Sequence, residues 1–209
     1  MFFREGKGTF FKTFIIFFIL VVAPQWTIAA TPGPIAVIQS GTERALQILR
    51  TSRTGEAPAL RQRRGEILTI VDEYFNFEEM ARRALGRPWK DQSAEKRQEF
   101  VRLFKQMLFN TYISRVESYT GSNEKIYYDS EKIDGEYAVV NTRVVTTGNQ
   151  AYLIEYRLRN ESGHWKAYDV IVEGVSFVDN YRSQFSSILA NESFDSLLKK
   201  MREKVATNS

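Results

Sequence analysis

The sequence predicts an α+β fold, a helical layer packed around a strongly twisted antiparallel β-meander of four or five strands, and three observations support this. The hydrophobic period is near 3.6 residues up to about Tyr119, changes to two from Lys125, and lengthens again after Ser176. Within the period-two region, Asp134-Gly135, Gly148-Asn149 and Ser162-Gly163 are turn signals that join the strands as consecutive hairpins. Helices that flank a meander, rather than alternate with its strands, define a segregated architecture.

The elements follow in order. Residues 1–30 read as a secretory signal, not as fold: Arg4, Lys7 and Lys12 precede the apolar run FIIFFILVVA, and Ala29-Ala30 suits cleavage. That run is only ten residues, short of the ~20 a spanning helix needs. Residues 31–209 are then expected to form one domain, exported and free of its leader. Pro34 suits the first turn of a helix running to about Arg50, which Gly41 weakens. After a polar break, a second helix spans Ala59 to Phe75, with Ile67, Leu68, Val71 and Phe75 on one face. Asn76 with Glu79 forms a capping box for a short helix whose Phe77, Met80, Ala81 and Ala84 face inward and which Gly86 ends. Ser93 caps a long helix with Phe100, Phe104, Met107, Leu108, Tyr112 and Val116 on one stripe. It breaks at Gly121 and Asn123.

Strands are expected over Lys125–Ser130, Tyr137–Thr147, Gln150–Arg159 and Trp165–Glu173. Strict alternation in the fourth would set Trp165, Ala167 and Ile171 against Tyr168, Val170 and Val172. Ser176 with Asp179 makes a second capping box, for a helix carrying Phe177, Tyr181, Phe185 and Ile188. A last helix presents Phe194, Leu197, Leu198, Met201 and Val205.

Composition excludes several chemistries. With no cysteine, thiol catalysis and zinc–thiolate sites are absent, and a chain of this size can bury a core without disulfides. Without residues 1–30 the 29 basic and 25 acidic residues become 26 and 24, so charge does not argue for nucleic acid. The single histidine, His164, follows a hairpin turn and is expected to face water; a Ser-His-Asp triad would have to use it. No phosphate-binding glycine loop or calcium loop appears, and no cofactor is expected. Asp169 and Glu173, four apart in one strand, would stand ~13 Å from each other, too far for a glycosidase pair. Asp169 is expected to need a partner such as Arg143 or Arg157. The basic clusters at Arg61–Arg64 and Arg82-Arg83 read as solvated helix faces. Ten tyrosines, mostly on predicted elements, suit either an ordinary core with polar rims or the wall of an apolar cavity.

Three stretches carry a resemblance: WKAYDVIVEGVSFVDNYRSQF, YLIEYRLRNESGHWK, and NFEEMARRALGRPWKDQSAEKRQEFVRLFKQML with Phe77, Met80, Ala81, Leu85, Gly86, Trp89 and Phe100 in place. Together they resemble the MlaC family, also called the toluene-tolerance family, over roughly Phe75 to Val205. Residues 31–60 match less distinctly, and Phe177 stands where the family pattern has leucine. The resemblance implies a periplasmic carrier, acting as a monomer, that encloses the tails of a diacyl phospholipid in a deep apolar cavity. It implies two docking partners: an outer-membrane lipoprotein–porin complex and an inner-membrane ABC transporter complex with a substrate-binding ring. It places Tyr112, Val145, Tyr156, Val170, Val172 and Phe177 in cavity-forming segments. Two other classes stay open on the residues themselves. One is a cone-shaped α+β enzyme using Tyr168 and Asp169; the other is an adaptor with a filled core.

Overall fold

The computed structural model describes residues 31–51, 57–118, 124–146 and 148–207. The leader expected over 1–30, Tyr119, the helix break at Gly121 and Asn123, and Thr147 lie outside them. Four helices come first: α1 (Pro34–Thr51), α2 (Ala57–Tyr74), α3 (Phe77–Leu85) and α4 (Ala94–Ser118), with a 3-10 turn at Arg87–Asp91 before the last. The strands β1 (Lys125–Asp134), β2 (Tyr137–Val145), β3 (Ala151–Glu161), β4 (His164–Val172) and β5 (Val175–Ser176) form one antiparallel sheet in that order. Helices α5 (Phe177–Leu189) and α6 (Phe194–Thr207) complete the chain. The meander is therefore present with a short fifth strand, and β1 runs four residues beyond its predicted end.

Gly41 costs α1 little, because the Tyr74 ring of α2 comes within 2.9 Å of the position a Cβ would occupy. Any larger residue would push the two helices apart. Arg44 then bridges them, donating to Glu73 at 2.6 Å and to the Tyr74 hydroxyl at 3.1 Å. Helix α2 is tied to α4 by Arg64, whose guanidinium donates twice to Glu117 at 2.9 Å, and by Lys105 on Asp72. So the Arg61–Arg64 cluster is not simply a solvated face.

The main core lies among α3, α4, α5 and α6. Phe100, Phe104, Tyr181, Phe185 and Phe194 interlock edge-on and tilted, with Met80, Leu197 and Leu198 closing around them. The predicted stripe of α4 is buried through Leu108, half-buried at Tyr112 and exposed by Val116. A second core joins α1 to the sheet through Ile38, Ala138, Val140, Leu158 and Ala167.

The first capping box closes on one side only. The Asn76 side chain accepts from the Glu79 amide at 2.8 Å, but the Asn76 amide donates to Ala167 at 2.8 Å, where Phe75 bridges the edge of β4. The buried Glu79 carboxylate instead accepts from Arg82 at 2.6 and 2.8 Å and from Arg83 at 2.7 Å. Burial alone would raise its pKa; the two guanidinium groups outweigh that and hold it below the ordinary carboxylate range. Asn76→Ala is expected to cost about 1 kcal/mol through the lost cap, read as a lower urea midpoint at unchanged m-value.

Candidate functional site

Strand register decides which side chains share a face. On the side that meets α1, Ala138, Val140, Thr142 and Val144 of β2 pair with Leu158, Tyr156, Ile154 and Tyr152 of β3. From β4, Val170 lies beside Tyr156 and Val172 beside Ile154. From β1, Ile126 lies beside Val144 and Tyr128 beside Thr142. Two bulges keep this inner face continuous. The pairing shifts at Asp129 in β1 and again in β4, where Arg157 pairs with Asp169 but Leu158 pairs with Ala167. Tyr168 is the extra residue, so Trp165 and Ala167 join Val170 and Val172. The expected opposition of Trp165 and Ala167 to Val170 and Val172 is thereby overturned, while Val170 and Val172 share a face as expected.

The inner face is buried at one end and only half-buried at the other. Ala138, Val140, Leu158 and Ala167 are at most 3% exposed, packed with Ile35, Ile38 and Phe75. Glu131 of β1 accepts from the Ile35 amide at 3.0 Å, anchoring the start of α1 over that end. About four residues along the strands, Ile126, Val144, Ile154 and Val172 are only half-buried and Tyr152 is exposed. Between the two ends stands a belt of hydroxyls from Tyr128, Thr142 and Tyr156. Burial pushes the Tyr156 phenol up to about 12, with Tyr128 adding to the shift and Thr142 opposing it. The Tyr128 phenol is raised by burial as well, beside Thr42 of α1.

Of the six expected lipid contacts, Tyr156, Val170 and Val172 share the inner face. Tyr112 and Phe177 meet each other, stacked with ring centroids 4.1 Å apart and planes within 8°, half-buried against the helical core. Burial raises the Tyr112 phenol. Val145 lies on the opposite sheet face, one residue past Val144. Ile126, Val144 and Ile154 are inner-face residues outside the expected six; alternation with Glu155 marked Ile154, whereas Val144 is followed by the equally apolar Val145.

The polar candidates are engaged elsewhere. Asp169, 2% exposed, accepts from the amides of Val170 at 2.9 Å and Val178 at 3.0 Å and from the Ser176 hydroxyl at 2.6 Å. Arg157 stands 3.7 Å away, whereas Arg143 pairs with Asp129. Ser176 in turn caps α5 by accepting from the Asp179 amide while its hydroxyl donates to Asp169. Glu173 and Gly174 turn the chain into β5 with φ of 49° and 80°, the left-handed region that makes glycine suitable there. Tyr168 lies under the Arg83 guanidinium, 4.1 Å from its ring centroid, and edge-on to Tyr137. His164 is exposed at the end of the β3–β4 hairpin. Among the described residues, no group of three His, Asp or Glu side chains could hold a metal ion, and no helix is long and apolar enough to cross a membrane. A separate cleft of about 460 Å³ opens between α2, α3 and α4, floored by Phe77, Trp89 and Val101 and rimmed by charge, away from the inner face.

A protein-family model described as MlaC protein matches residues 39–203. A Haemophilus influenzae protein named intermembrane phospholipid transport system binding protein MlaC is 28% identical over 200 residues, spanning 91% of this chain and 89% of that protein. The Pseudomonas putida toluene tolerance protein ttg2D is 31% identical over 102 residues, 48% of this chain and 46% of its own length. The structure of a phospholipid-binding protein from Ralstonia solanacearum, solved in complex with a phospholipid, matches with a TM-score of 0.72 at 22% identity, covering 85% of this chain and 99% of that one. The fold is thus shared with that structure, and the family model spans most of the sequence: the chain belongs to the MlaC protein family.

Proposed function

We propose that this chain is a phospholipid carrier that holds a diacyl lipid by its tails and performs no chemistry on it. The observation that carries this reading is the inner sheet face, apolar apart from one belt of hydroxyls, buried under α1 at one end and only half-buried at the other. Its relatives support it, since one is named for intermembrane phospholipid transport and a protein of the same fold was solved with a phospholipid. The energetics require such a site. Each buried methylene is worth about 0.8 kcal/mol, so two sixteen-carbon tails in water would cost more than about 20 kcal/mol. Tyr156, Val170 and Val172, with the Tyr112–Phe177 stack, are the expected tail contacts. Val145 would contribute only if the sheet rearranged, and is the weakest of the six.

The carrier works in the periplasm after removal of residues 1–30, with residues 31–209 as the lipid-binding domain. It exchanges lipid with an inner-membrane ABC transporter complex and an outer-membrane lipoprotein–porin complex. Native mass spectrometry of protein purified from the periplasm is expected to show one diacyl phospholipid per chain, and a mature N-terminus at Ala30 or Thr31. Protein that carries no lipid in both native spectra and solvent extracts would leave the adaptor reading in its place.

A further inference from the structure

We infer that Tyr156, braced by Tyr128 and Thr142, is the floor of the tail site and limits the length of acyl chain that can be enclosed. The inference rests on the carrier reading and adds to it a determinant of lipid specificity. Three observations bear on it. First, along β2 the inner face passes from half-buried Val144 to Thr142 and Val140, 3% and 0% exposed, and Val140 shares its row with half-buried Tyr156 and buried Val170. Second, that row lies four residues from Val144 at the half-buried end, or about 13 Å by strand rise. A tail entering beside Val144, Ile154 and Val172 meets the Tyr156 ring before it can reach Ala138, Leu158 or Ala167.

Third, the floor is polar in an otherwise apolar surface. Tyr156, Tyr128 and Thr142 bring three hydroxyls together, and Thr42 of α1 approaches from above. Thr142 is 3% exposed and donates to the Ile154 carbonyl at 3.2 Å. Buried hydroxyls keep their partners because leaving one unpaired is costly, and a hydrocarbon tail offers none. The tail end therefore stops at the belt instead of displacing it. Beyond the belt, Ile35, Ile38 and Phe75 already fill the space between α1 and the sheet.

The test is the affinity of the delipidated full chain for phosphatidylcholines with two identical saturated tails of 10, 12, 14, 16 and 18 carbons. While tails are still being enclosed, each added methylene should tighten binding about fourfold. Once the tail reaches the floor the gain should stop, giving a break in the series. Tyr156→Ala is expected to move that break to tails at least two carbons longer, and Tyr156→Phe, which keeps the ring, to leave it at the wild-type length. Tyr156→Leu replaces the alanine variant if the latter fails to give a folded circular dichroism spectrum. A wild-type affinity that climbs without a break, or a break that does not move in the folded alanine or leucine variant, overturns the inference while leaving the carrier intact. A wild type that binds none of the five lipids overturns the carrier reading itself.

Discussion

Val172→Asp is expected to strip the protein of bound phospholipid without unfolding it. Val172 pairs with Ile154 and Val175 at the half-buried end of the inner face, so the strand can accept a polar residue of similar size. A tail lying against β4 would then meet a carboxyl group. Ionised or neutral, a polar group buried against hydrocarbon without a partner costs several kcal/mol, which corresponds to at least a hundredfold in affinity. His164→Ala is the matched control. His164 is exposed and lies at the opposite end of the same strand, so its removal should change stability by less than about 0.5 kcal/mol and leave lipid retention and transfer between vesicles unchanged. Both variants should give the circular dichroism spectrum of the wild type. If folded Val172→Asp kept its lipid while His164→Ala lost transfer, the tail site would not be on this face, and a catalytic reading of the hairpin would return.

The architecture was legible because period and turn chemistry agree along the whole chain. The two N-caps, Asn76 and Ser176, the Gly86 stop of α3 and the hairpin turns all stand where local residue types put them. What was not legible depends on contacts between distant segments. Glu79 follows the capping-box spacing, but Asn76 already donates to Ala167 on β4, and three arginines converge on the free carboxylate. The extra residue at Tyr168 has no sequence mark of its own. Only pairing with β3 reveals it, and one inserted residue moves Trp165 and Ala167 to the other face. The candidate site suffered from the same limit. In β2, Val144 and Val145 are both apolar, so alternation alone could not say which faces α1, and the register assigns that place to Val144. The Tyr112–Phe177 stack joins residues 65 positions apart, so the stripe on each helix could suggest a buried ring but not its partner.

Asp169→Ala is expected to cost about 3–5 kcal/mol, a large fraction of the stability of a domain this size. The carboxylate joins three pieces of chain: its own strand through the Val170 amide, β5 through the Ser176 hydroxyl, and the first turn of α5 through the Val178 amide. Alanine leaves two amides in the interior without acceptors, each costing about 1–3 kcal/mol. It also removes one of two negative charges near the N-terminus of α5, leaving Asp179, and leaves Arg157 without its second carboxylate. Asp169→Asn keeps one oxygen acceptor and should cost about half as much. Urea unfolding of the wild type and both variants gives these differences directly, and wild-type stability in the alanine variant would rule out the structural role. The asparagine variant also distinguishes the two functional classes. A general base loses its activity when the carboxylate becomes an amide, whereas a carrier needs Asp169 only to hold β4, β5 and α5 together. Folded Asp169→Asn is therefore expected to keep its phospholipid and its transfer rate. If it instead retained lipid but lost a turnover measured on that lipid, the Asp169 carboxylate would have a chemical task that its three hydrogen bonds do not explain.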